Sequence, residues 1–160
     1  MKLLKGIVGG LCLCAAIGCT APASQKENTT AVPEGFSQSE VVVKTIMSRR
    51  SIRQYKPQPV NRDTMQTILT CGINAPNGQN KQSWEVRVVD NPDFINGVTE
   101  LYKKANPKAA EDPSFKNMFR NAPTVVFVAN DPSYGFSQVD CGLLGGNMML
   151  AAQSMGIGSC

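Results

Sequence analysis

A chain of 160 residues has room for one domain with a real core and not for two ordinary ones. Its 42% hydrophobic and 18% charged residues exclude a disordered polymer. A net charge of +4, two units of which come from Lys2 and Lys5, excludes a general surface for nucleic acid or other polyanions.

The first residues, "MKLLKGIVGGLCLCAAIGC", combine a basic start, an apolar run and small residues before Cys19. That pattern reads as a secretion signal over residues 1–18, too short and too glycine-rich for a comfortable membrane span. "AAIGC" resembles a bacterial lipobox, which makes Cys19 the expected site of lipidation and residues 19–35 a polar tether. The chain is then expected outside the cytoplasm, anchored to a membrane by lipid. Cleavage after "APA" (Ala21–Ala23) is the alternative and gives a soluble periplasmic product. Cys12, Cys14 and Cys19 belong to this leader. The remaining three, Cys71, Cys141 and Cys160, are odd in number and lack CxxC spacing, so neither a disulfide framework nor a zinc site is predicted. Histidine is absent, which removes Ser-His-Asp and Cys-His catalysis. No catalytic side chain and no metal ligand is therefore assigned, and any chemistry falls to a bound cofactor.

The domain, residues 36–160, opens on "SQSEVVVKTIMSRR", a short helix with Ser39 as expected N-cap and Val42, Ile46 and Met47 on one side. Its end delivers "MSRRSIRQYKPQP", where Arg49, Arg50, Arg53 and Lys56 crowd together without an acid. Cations at a helix C-terminus complement its dipole, which accounts for Arg49 and Arg50 but not for Arg53 and Lys56. Arginine suits bidentate phosphate contacts, and Ser51 adds a hydroxyl, so an anion site and a solvated basic loop are both open here. "RDTMQTILTCGINA" predicts a second helix, started by Asn61 or Asp63 and striped by Met65, Ile68, Leu69 and Ile73. "NAPNGQNKQSW" is a loop dense in amide side chains, with Gly78 permitting close backbone approach, and "WEVRVVD" a strand opened by a core Trp84.

"NPDFINGVTELYKKAN" restarts a helix, capped by Asn91 with Pro92 in first position. "PKAAEDPSFKNMFRNA" reads as loop with a helical turn, and "PTVVFVAND" as a strand buried on both faces. Last comes "FSQVDCGLLGGNMMLAAQSMGIG", a long helix apolar nearly all round that ends at Gly156. Gly142, Gly145 and Gly146 weaken it by roughly 1 kcal/mol each relative to Ala, so something is expected to approach closely there. Two strands rarely make a stable sheet alone, so further strands are expected from a partner or from chain beyond Cys160.

Three stretches together, "RRSIRQY" after the first helix, "APNGQNKQSWEV" into the first strand and "GGNMMLAAQSMGIGS" in the long helix, resemble the FMN-dependent nitroreductase family. The resemblance covers Ser39 to Cys160, with Lys103 to Met118 unmatched. It implies an α+β fold, a central mixed or antiparallel sheet flanked by helices, in an obligate-type homodimer with FMN at the interface. Arg49 and Ser51 match positions that hold the FMN phosphate and ribityl chain, Arg50 a neighbouring position, and Arg53 the basic residue at the pyrimidine end of the flavin. Pro76, Asn77, Gly78 and Asn80 match the loop that reaches the flavin from the other subunit. The family's chains continue past the long helix with a helix and strands, which here would lie beyond Cys160. Implied partners are NAD(P)H and a nitroaromatic, quinone or similar small acceptor, with no nucleic acid. Two other readings remain at this point: a flavin- or anion-binding module without turnover, and a structural lipoprotein.

Overall fold

The computed structural model describes residues 35–115 and 117–160. The expected signal, Cys19 and all but the last residue of the tether lie outside them. Helix α1 (Gln38–Ser48) is started by a capping box: Glu40 N–H donates to Ser37 Oγ, and Ser37 N–H donates back to the Glu40 carboxylate at 2.7 Å. The N-cap is Ser37, not the expected Ser39, because the box needs its acid three residues after the cap. Val42, Ile46 and Met47 do not form a packed side: all three are exposed, Met47 at 69%, the half-buried positions of α1 are Val41 and Thr45, and no residue of the helix is buried.

Helix α2 (Arg62–Ile73) starts at Asn61, whose side chain accepts from Asp63 N–H. Helix α3 (Pro92–Ala105) starts at Asn91 with Pro92 in the first turn, where a missing N–H costs nothing. The short helix α4 (Pro107–Glu111) is the helical turn anticipated in the weakly patterned stretch. Strands β1 (Trp84–Val89) and β2 (Val125–Asn130) pair antiparallel, Trp84 opposite Asn130 and Val89 opposite Val125. Helix α5 (Ser137–Ser154) ends as expected, with Gly156 at a left-handed φ of 72°. No helix among the described residues is long and apolar enough to cross a membrane.

The core lies between α5, α2 and one face of the two-stranded sheet. Ile68, Ala75, Leu144, Met148, Ala151 and Ala152 form its centre, with Trp84, Val86 and Val126 packed against it. The α2 and α5 backbones approach closely at Gly72, where a Cβ would stand 2.5 Å from Met148 Cγ. Two expectations fail. Strand β2 is not buried on both faces: Phe127 and Val128 are 39% and 40% exposed, and among the described residues β1 is the one strand paired with it. Nor does any other part of the described residues come within 4 Å of a Cβ built on Gly142, Gly145 or Gly146. The long helix thus has one packed side and one open side, the latter carrying Val139, Gly142 and Leu143.

Candidate functional site

The basic stretch begins where α1 stops. Arg49 N–H donates to Thr45 O at 3.2 Å, and the chain then turns extended, with the Arg49 side half-buried. Arg50 folds back as a cap, its Nη1 donating to Met47 O at 2.7 Å and to Arg49 O at 2.8 Å. Ser51 forms a parallel bridge with Ser159, in which Ile52 N–H donates to Ser159 O at 3.0 Å. Gly158 makes that possible, since a Cβ there would lie 2.9 Å from Ile52 Cγ2. Arg53 Nη1 donates to Ser51 O at 3.3 Å, and the Tyr55 hydroxyl to Ile52 O. Burial, then the charge of Cys160, hold the Tyr55 phenol above its usual range, while Arg53 pulls it the other way.

Among the described residues every hydrogen bond these arginines donate goes to a backbone carbonyl. Among the described residues the two ion pairs are Arg87–Glu85 and Lys103–Glu100, so Arg49, Arg50, Arg53 and Lys56 face no carboxylate. Where this stretch reaches Tyr55 an apolar groove of about 500 Å³ begins, lined by Tyr55, Val126, Phe127, Met148 and Ile157, with Arg120 as its one lining cation. A stretch of unpaired cations that runs into an apolar groove at Tyr55 suits a ligand with a flat ring system and an anionic end.

The amide-rich loop lies elsewhere. Asn77 Oδ1 accepts from Gln82 N–H at 3.0 Å and folds the loop on itself, around a 3-10 turn at Gly78–Asn80. Gln79, Asn80 and Gln82 all hold left-handed φ between 50° and 54°, uncommon for residues with side chains. Gly78 is needed for close approach, as expected, but the approaching group is in the chain itself: a Cβ would stand 2.3 Å from Tyr134 Oη. That hydroxyl is buried without a hydrogen-bond partner. A polar hollow of about 570 Å³, lined by Lys81, Gln82, Asn130, Asp131 and Tyr134 among others, opens beside the loop.

Asp140, in the first turn of α5, is a residue the sequence reading passed over. It is 2% exposed, and its carboxylate accepts from Gly78 N–H at 3.0 Å and from Ser83 Oγ at 3.3 Å. Burial, and next the Asp140 charge, push the neighbouring Cys141 thiol up. In sequence Asp140 is one acid near a helix start; its partners lie 57 and 62 residues away, so no local signal marks it.

The structure does not bring the two predicted groups together in one chain. The loop of Pro76, Asn77, Gly78 and Asn80 is tied to the start of α5 through Asp140. The basic stretch is tied to its end, where Gln153 Nε2 donates to Ser48 Oγ at 3.2 Å. Thirteen residues separate Asp140 from Gln153, about 20 Å of helix at about 1.5 Å per residue.

The family model described as Nitroreductase family matches residues 46–160. An FMN-dependent nitroreductase from Clostridium difficile R20291 is 33% identical and superposes with a TM-score of 0.69, over 77% of this chain and 60% of its own. A nitroreductase with bound FMN from Bacteroides fragilis is 30% identical, with a TM-score of 0.64 over 74% and 67%. A protein of Archaeoglobus fulgidus, provisionally named an NADH dehydrogenase/NAD(P)H nitroreductase, is 30% identical over 125 residues, 75% of this chain and 66% of its own. The chain spans about two thirds or less of the length of these relatives.

Proposed function

We propose, from the premise that the chain belongs to the nitroreductase family, that it binds FMN and acts as a flavin oxidoreductase. In this reading NAD(P)H is the hydride donor and a nitroaromatic, quinone or similar small molecule the acceptor. The observation that carries the reading is the set of unpaired cations at the end of α1, in the stretch whose Tyr55 lines an apolar groove. Those residues fit the group: a phosphate finds Arg49 and Ser51, and the groove offers an apolar bed for a ring. When bound, FMN supplies a two-electron carrier between donor and acceptor. Arg53 is a fixed positive charge suited to stabilising an anionic ring edge, while Arg50 holds the helix end in place. No acid–base side chain is required of a protein without histidine, so its task is placement and electrostatics.

The separation of the two residue groups favours a homodimer, in which Pro76, Asn77, Gly78 and Asn80 of one copy complete the site of the other. An isologous contact has surface available for this: Val42, Val43, Ile46 and Met47 on α1, and the open side of α5. Export and lipidation at Cys19 would tether this dimer to a membrane outside the cytoplasm, a reading that the leader sequence supports.

Purification tests the reading. The protein is expected to be yellow with a bound-flavin spectrum, bleached anaerobically by NADH or NADPH and recoloured by a nitroaromatic. Replacing Arg49 and Arg53 by Ala removes two charged contacts at about 1.5–3 kcal/mol each, roughly a hundred-fold to ten-thousand-fold in FMN affinity. A colourless protein that ignores added FMN, or unchanged affinity in the double variant, refutes it.

A further inference from the structure

We infer that Asp140 is a positioning residue that clamps the Gly78–Ser83 loop in the shape its ligand meets. What the loop contacts rests on the flavin reading above; the clamp itself rests on geometry alone. One carboxylate oxygen takes Gly78 N–H at 3.0 Å and the other takes Ser83 Oγ at 3.3 Å, so both ends of the loop close on a single side chain. Among the described residues no cation pairs with Asp140, and a buried carboxylate without one is costly unless donors satisfy it. An acid in the first turn of a helix ordinarily serves that helix. Here α5 has no side-chain N-cap, and the one acid of its first turn is spent sideways on the loop.

The frame behind the clamp is rigid. Ser83 and Ser137 are buried; Asp131 N–H donates to Ser83 O at 2.9 Å, and Asn130 Nδ2 to Ser137 Oγ at 3.0 Å. Loop end, strand end and helix start are thereby joined at one place. Between the clamped ends sit Gln79, Asn80 and Gln82 in left-handed conformations, which persist only where surrounding contacts enforce them. Releasing the carboxylate frees the segment that carries Asn80 without touching the α2–α5 core.

The test compares Asp140→Ala, Asp140→Asn and Ser83→Ala in the full 160-residue chain, by amide hydrogen exchange without added flavin and by FMN titration. Asp140→Ala is expected to speed exchange of residues 78–83 at least 100-fold while core amides of α2 and α5 keep their protection, and to weaken FMN binding at least 10-fold. Asp140→Asn should restore most of both, because its Oδ1 still accepts from Gly78 N–H. Ser83→Ala, a gentler change, should loosen the same six residues to a lesser degree and serves should Asp140→Ala fail to fold. Loop exchange unchanged in both, protection lost evenly across the molecule in both, or an Asn variant as loose as Ala overturns the proposal. A wild-type chain that binds no FMN refutes the flavin reading instead, and hydrogen exchange still decides the clamp.

Discussion

Gly78→Ala puts a methyl carbon where the Tyr134 hydroxyl already sits. The new Cβ would lie 2.3 Å from Tyr134 Oη, 3.3 Å from Cζ and 3.5 Å from Phe136 Cβ. The phenol ring packs edge-on to Phe136 at 5.9 Å, so moving the hydroxyl aside disturbs that contact. Overpacking of this kind costs about 1–3 kcal/mol, against a gain of about 0.4–1 kcal/mol from stiffening the unfolded chain. A net loss of about 1–2 kcal/mol is expected. Tyr134→Phe deletes the hydroxyl, which is buried without a partner; removing such a group relieves a desolvation cost on the order of 1–3 kcal/mol. That variant should be neutral or more stable. In its background Gly78→Ala meets the ring carbon at 3.3 Å and Phe136 Cβ at 3.5 Å and should cost less than about 0.5 kcal/mol, a coupling of at least about 0.5 kcal/mol. Urea unfolding followed by the fluorescence of Trp84, the single tryptophan, measures all four corners of the cycle. Additive effects, or a Tyr134→Phe variant destabilised by more than about 1 kcal/mol, would refute the assignment of Tyr134 Oη as an orphaned group pressed on Gly78.

At Gly146 an added Cβ meets nothing within 4 Å among the described residues, and Gly146→Leu gains close to 1 kcal/mol of helix propensity. We expect a chain that resists urea better yet associates less in sedimentation velocity; unchanged association would remove this side of α5 from the proposed dimer contact. Gly72→Ala drives a Cβ to 2.5 Å from Met148 Cγ, and overpacking outweighs the propensity gain by about 1 kcal/mol, so a lower Tm is predicted. An equal or higher Tm would mean that Met148 yields freely. Hydrogen bonds from Ser37 N–H and Oγ hold the Glu40 carboxyl below its usual value of 4.5. A depressed carboxylate pKa adds stability that is present above the usual value and lost as pH falls through the lowered one. The first turn of α1 should therefore loosen in acid, and a titration of its amide shifts in Ser37→Ala should move the midpoint up toward 4.5.

Much of the scaffold was readable locally, and the misses have physical causes. Asn91 and Pro92 announced α3, and Gly156 the end of α5, because cap chemistry acts within one turn. The Ser37–Glu40 spacing also held the answer for α1, where the nearer Ser39 drew attention instead. Strand β2 misled because an unbroken apolar run reports affinity for burial, not the number of neighbours available to bury it. In the candidate site the basic residues stood out as charge without counter-charge, whereas Asp140 and Tyr134 carried no mark. A buried carboxylate and an exposed one look alike until the chain closes around one of them.

The amino-acid sequence by itself determined the elements, the local excess of cations after α1, the amide-rich loop and the family to which they belong. Each is a property of neighbours along the chain. Tertiary structure alone decided which glycines are spaces already filled (Gly72, Gly78, Gly158) and which stand open (Gly142, Gly145, Gly146). It also set the two predicted residue groups at opposite ends of α5 and closed one of them on Asp140. Those are contacts between residues 57 to 105 positions apart, made by packing two helices and a sheet edge, and no periodicity or cap chemistry along the chain encodes them.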